Sequence, residues 1–188
     1  MPSAVAAIRT KERIFSLSTL KDRSFADLEQ MYRSAKIPES LSPLKGHPRG
    51  RMLATRYFAS GPVANALRNF AFASSFPWEG KSFTSSAKSG TGVNRVRLGG
   101  RHALFPFITK IAPSLVDDKP CVVLDYDLAD NPSLIRMIHD EVREVDDGLY
   151  LGPAMRKIKN GSPELVLWFA VDFHEPMRPI GEARRLVE

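Results

Sequence analysis

Cysteine is almost missing from this sequence, with Cys121 the sole example. One cysteine excludes an intramolecular disulfide, and this one sits in an apolar run, so a reducing, cytoplasmic setting is expected. No apolar stretch approaches the length of a membrane-spanning helix. The N-terminal MPSAVAAIRTKERIF puts a short apolar patch ahead of its charges, the reverse of a secretory signal. The net charge is +6, yet Lys and Arg form no run and are not interleaved with aromatics. No nucleic-acid partner and no membrane contact are therefore expected. The four histidines, His47, His102, His139 and His174, lack the close spacing of metal ligands, so no metal is expected. Gly90-Thr91-Gly92 lies between two strand-like segments rather than between a strand and a helix, which removes the context of a phosphate loop. No nucleophile elbow is present, and no cofactor is expected.

What the sequence does contain is enough apolar material for a core. Hydrophobic residues make up 43% and charged residues 26% of 188, the balance of a folded globular chain. The expected organisation is an N-terminal helical segment and connector over 1–50, a β domain over 51–175, and a surface tail over 176–188. The oligomeric state stays open, a homodimer among the options.

Helical signals collect near the N-terminus. Ser24 with Asp27 three residues on approximates a capping box, and Phe25, Leu28, Met31, Tyr32 and Ala35 form one apolar stripe. Pro38 stops that helix. Residues 38–50 read as a connector. Residues 51–58 read as a strand, and a second helix is expected from Ser60-Gly61-Pro62, with Val63, Leu67, Phe70 and Ala71 inward.

From Trp78 the period changes to two. Strands are expected over 78–84, 93–98 and 101–111, with Gly99-Gly100 as a hairpin turn and Pro106 marking an edge or a bulge. Val122, Leu124, Tyr126 and Leu128 face one way; Cys121, Val123, Asp125 and Asp127 face the other. Asn131-Pro132 starts a short helix with Leu134, Ile135 and Ile138 inward. Strands over 141–145 and 149–155 flank Asp147-Gly148, a strong hairpin signal. Residues 164–173, apolar on both faces, make a central strand. Six or seven antiparallel strands with helices at the N-terminal end define an α+β, mainly β protein built on a strongly curled sheet or small barrel.

Several stretches resemble the lipocalin-like proteins that combine a GXWXG element with a domain of unknown function. A W-x-G-K-x-F strand is matched by Trp78, Gly80, Lys81 and Phe83. The later hairpin and L-G strand are matched by Tyr126, Asp127, Pro132, Val142, Arg143, Val145, Asp146, Asp147, Leu151 and Gly152. The GXWXG element itself is absent; GHPRG at 46–50 stands roughly in its place without the tryptophan. The resemblance covers roughly 78–173 and implies a calycin-type β-barrel with an apolar cavity. It implies no catalytic mechanism.

Two groups of residues are candidates for chemistry. Asp125 and Asp127 fall on one strand face, where close carboxylates raise each other's proton affinity. With Asp125, His139 and Glu144 as acid or base and Arg143 beside them, they suit proton transfer. The same residues also suit turn capping and a solvated charged face. The second group is Trp78, Lys81, Asn94 and Arg95, with Glu79, Arg97, Arg101 and His102 nearby. Facing inward, these residues would orient a carboxylate or carbonyl; facing outward, they would keep the sheet soluble. Phe105, Phe107, Tyr126, Trp168 and Phe169 are the expected aromatic lining. The first functional expectation is binding of a small, largely apolar organic molecule. The alternatives are a cofactor-independent isomerase or cyclase acting on a small hydrophobic, natural-product-like substrate, and a non-catalytic interaction protein with an acidic partner.

Overall fold

Eight antiparallel strands follow one another around a closed barrel, and the last pairs with the first. The structure is a computed structural model and describes residues 13–56, 69, 71, 76–159 and 161–180. The strands are β1 (Pro48–Thr55), β2 (Trp78–Ser85), β3 (Gly90–Arg97), β4 (Arg101–Pro113), β5 (Pro120–Asp125), β6 (Ile138–Asp146), β7 (Leu149–Arg156) and β8 (Glu164–Pro176). Closure gives every strand two neighbours, β1 and β2 meeting at the single position Arg49–Gly80. The first strand begins earlier than its apolar run suggests, because Pro48 and Arg49 already pair with β8. The helix expected from Ser60 lies outside the described residues except at Asn69 and Ala71, which are helical.

Alternation sorts the strand side chains into two cores. Phe83, Phe107, Val122, Leu124, Tyr126, Val142, Tyr150, Phe169 and Val171 fill the interior. Cys121, Val123, Leu149, Leu151, Trp168 and Ala170 point outward into a second apolar layer. That layer is covered by α1 (Leu17–Leu20) and α2 (Phe25–Ser34). Ser24 and Asp27 form the full reciprocal capping box that starts α2. Leu28 and Tyr32 are fully buried beneath it, and Phe25 and Tyr32 pack on the Trp168 ring at 6.0 and 5.5 Å between centroids. Burying a side chain of this kind contributes on the order of 2 kcal/mol.

One end of the barrel is plugged. The segment after α2 crosses it, Leu41 N–H donating to Ala87 O and Gly46 exchanging hydrogen bonds with Phe83. Leu41 and Leu44 thereby enter the interior core. At the other end a short helix, α3 (Ser133–Arg136), follows β5. Asn131 does not cap it; its side-chain amide donates to Pro106 O and Tyr126 O and ties this loop to β4. Ile135 and Ile138 face inward as expected, whereas Leu134 is 77% exposed, because α3 has one turn and only one inward position to offer. The tail lies along the barrel, with Met177 N–H donating to His47 O.

Candidate functional site

A cavity of about 320 Å³ occupies the unplugged half of the barrel. Met52, Trp78, Val96, Phe105, Leu167 and Phe169 supply most of its apolar wall. Lys81, Asn94, Tyr126 and Asp140 supply the polar part. Below them, Phe107 and Phe83 meet edge to face at 5.5 Å and fill the interior toward the plug.

The four polar side chains form one hydrogen-bonded cluster. Lys81 Nζ donates to Asp140 Oδ2 at 2.9 Å, to Tyr126 Oη at 2.6 Å and to Asn94 Oδ1 at 3.0 Å. Tyr126 Oη donates to Asp140 Oδ2 at 2.9 Å. Trp78 Nε1 donates to Asn94 Oδ1 at 3.0 Å, and Asn94 Nδ2 donates to Tyr126 Oη and Phe105 O. Lys81 is 2% exposed and Asp140 4%, so this is a buried ion pair, a geometry that requires such extra hydrogen bonds. The Lys81 ammonium also sits among four rings, with Phe169 at 5.0 Å, Phe107 and Tyr126 at 5.3 Å and Trp78 at 5.5 Å. Burial pushes the pKa of Lys81 down against the opposing pull of Asp140. Burial, with the Asp140 charge beside it, pushes the Tyr126 hydroxyl well up.

Trp78 and Lys81 reach the same cavity because β2 is irregular. Residues three apart on a regular strand face opposite sides. The register shifts between Trp78 and Gly80, and Gly80 has φ +143°, so the bulge turns both side chains inward. A Cβ on Gly80 would also collide with Pro48 O. A second bulge on β4 stands where Pro106 suggested one. Phe105 there has φ +56° and points into the cavity.

Of the residues singled out from the sequence, Trp78, Lys81, Asn94, Phe105, Tyr126 and Phe169 come together on the cavity wall, and Phe107 packs beneath it. The others stand elsewhere. Asp125 ends β5 on the outer surface and pairs with Lys110 and Lys157 at 3.2 and 3.6 Å. Asp127 lies beyond the strand, donates its N–H to Asp125 Oδ1 and pairs with Arg136, so the two carboxylates do not share a face. Burial raises the Asp125 pKa, but the Asp127 N–H and the two lysines outweigh it, and its carboxyl sits below the ordinary range. His139 is on the outer face of β6, 3.0 Å from Glu141 Oε1. Glu144 is at the plugged end beside Lys36 and the Gly148 N–H. Arg95 points outward, covered by the tail, and donates to Arg178 O. Arg143 is buried outside the barrel against α2, where it grips Asp117 with two hydrogen bonds of 2.9 and 2.7 Å under the Tyr32 ring. Trp168 belongs to the outer core.

Asp140 lies in the charged stretch from His139 to Glu144, without a site role assigned to it from the sequence. The signal for it was parity: Asp140 shares a strand face with Ile138 and Val142, but only if β6 begins at Ile138, three residues earlier than its apolar pattern suggests. Among the described residues, no group of three or more His, Cys, Asp or Glu side chains could hold a metal ion. No helix among them is long and apolar enough to cross a membrane.

No protein-family model matches the chain, and no curated protein matches it. Among solved structures, it is similar to a crystal structure of a protein from Thermomonospora curvata. The TM-score is 0.47 and the identity 16%, over 82% of this chain and 90% of that one.

Proposed function

We propose that this barrel binds a small, largely apolar organic molecule in its cavity. The supporting observation is the cavity's division of labour: a broad apolar wall and one compact polar cluster, Lys81–Asp140–Tyr126–Asn94. Sites for small molecules combine apolar area for affinity with a few fixed polar groups for orientation. The reading is in keeping with the resemblance to the GXWXG-associated lipocalin-like proteins, since the W-x-G-K-x-F stretch is where Trp78 and Lys81 stand. It includes a cytoplasmic location, supported by the single, buried Cys121.

A second reading, a cofactor-independent isomerase or cyclase, has one observation in its favour. A titratable pair, Lys81 and Asp140, lies on the wall of an apolar cavity. On that reading proton transfer belongs to Asp140 and Tyr126, because Asp125, His139 and Glu144 do not reach the cavity.

Naphthalene titrated against the protein, followed by tryptophan fluorescence and calorimetry, tests the first reading. Saturable binding is expected, and it is expected to disappear in Ala154→Phe, which places a ring in the cavity beside Leu167. Binding that is absent, or equal in the two proteins, overturns it.

A further inference from the structure

The polar cluster also selects among ligands. We infer that the cavity takes a neutral apolar molecule bearing a hydroxyl group, an alcohol or a phenol, whose O–H donates to Asp140 Oδ1. The inference rests on the binding reading above and names the chemistry of the ligand.

The argument is a count of donors and acceptors. Lys81 has three protons, and they go to Asp140 Oδ2, Tyr126 Oη and Asn94 Oδ1. The single Tyr126 proton goes to Asp140 Oδ2. Both Asn94 amide protons are placed, and Trp78 Nε1 donates to Asn94. Every donor in the cluster is already engaged. One acceptor is left: Asp140 Oδ1 has no hydrogen-bond partner among the described residues, and although that oxygen is itself buried its carboxyl group belongs to the cavity wall, so the proposed contact requires the group to turn toward the ligand. A ligand carbonyl entering here finds no donor. A ligand O–H finds an acceptor on an ionised group, the stronger class of hydrogen bond.

Charge narrows the choice further. Lys81 and Asp140 already neutralise each other at 2.9 Å. An anionic ligand would bring a buried charge with no counter-ion and lone pairs facing Oδ1; a cationic one would leave an excess positive charge in an apolar cavity. A neutral donor avoids both costs. Arg95, which facing inward would help to orient a carboxylate or carbonyl, takes the outward alternative and does not reach the cavity.

The test compares bicyclic probes of one shape by calorimetry at pH 7: naphthalene, 2-naphthol, 2-naphthaldehyde and 2-naphthoate. In the wild-type protein 2-naphthol is expected to bind about tenfold or more tightly than the acceptor-only aldehyde, the range of a hydrogen bond to a charged partner. The carboxylate is expected to bind most weakly. In the double variant Lys81→Met/Asp140→Leu, the advantage of naphthol over naphthaldehyde is expected to fall to about onefold, read as the ratio of the two affinities within that variant. If naphthalene binds but the aldehyde or carboxylate equals or exceeds naphthol, the cavity reading stands and the hydroxyl inference is overturned. If no probe binds, both fail. The wild-type series decides the matter without the variant, should that variant not fold.

Discussion

Lys81 and Asp140 reach each other across the barrel. Their strands, β2 and β6, are four apart in a ring of eight, so they stand on opposite walls, yet Nζ and Oδ2 are 2.9 Å apart. The pair is a strut through the interior and at the same time the polar face of the cavity. Its energetic effect depends on keeping both ends. Lys81→Met strands the Asp140 carboxylate and is expected to destabilise the fold by about 3–5 kcal/mol, whereas the double change Lys81→Met/Asp140→Leu is expected to be near neutral or stabilising. Urea unfolding of the single and double variants measures the difference. Equal losses in both would mean that packing, not the buried charge, sets the stability here.

The bulge at Gly80 makes a second prediction. Alanine there must hold φ near +143° and place a Cβ against the Pro48 carbonyl and the Gly50 N–H. Gly80→Ala is expected to cost on the order of 1–3 kcal/mol and to loosen the pairing of β1 with β2. Because the bulge aligns Trp78 with Lys81, naphthalene affinity should fall as well. Gly148→Ala, at the β6–β7 turn with φ +64°, is expected to lower stability while leaving affinity intact. The pair of variants separates turn strain from cavity geometry by denaturation and titration.

The two tryptophans divide cleanly between inside and outside. Trp78 lines the cavity; Trp168 packs against Phe25 and Tyr32 on the outer face. In Trp168→Phe the fluorescence response to naphthalene should survive, with stability lower by roughly 1–3 kcal/mol from the lost packing. In Trp78→Phe the response should vanish. A ligand response carried by Trp168 would contradict the placement of the site.

Acid should release α2 from the barrel. Glu141 is fully buried under that helix and accepts from Tyr32 Oη at 2.7 Å, Ser114 Oγ, the Leu115 N–H at 2.7 Å and His139 Nε2 at 3.0 Å. Burial pushes its pKa up, but these donors, His139 foremost, outweigh that and hold it below the ordinary glutamate range. Asp117 is held low by Arg143. A depressed folded-state pKa contributes stability that is present above the unfolded value and lost as pH falls through the folded one. Glu141→Gln is therefore expected to be less stable at pH 7 by about 1–3 kcal/mol, with the gap to wild type closing toward pH 3. Urea midpoints across that range, with the far-ultraviolet signal as readout, check the sign. A constant gap would remove Glu141 from the linkage.

The strands, most of their faces and the capped helix on the outside are legible in the order of residues alone. These are local: a period of two, a capping box and Asp147-Gly148 each act over a few residues. Parity alone already separated Val122, Leu124 and Tyr126 from Cys121, Val123 and Asp125. The site comes into being with long-range packing. Whether Lys81 joins Trp78 depends on a one-residue bulge, and one residue reverses a face. Whether Asp140 meets Lys81 depends on closure, which brings residues 59 apart in sequence across the lumen. Arg95, Arg143 and Trp168, candidates for ligand contact from the sequence, are all buried. They are buried on the outside, because α2 and the tail cover strand faces that a period of two marks only as the other side.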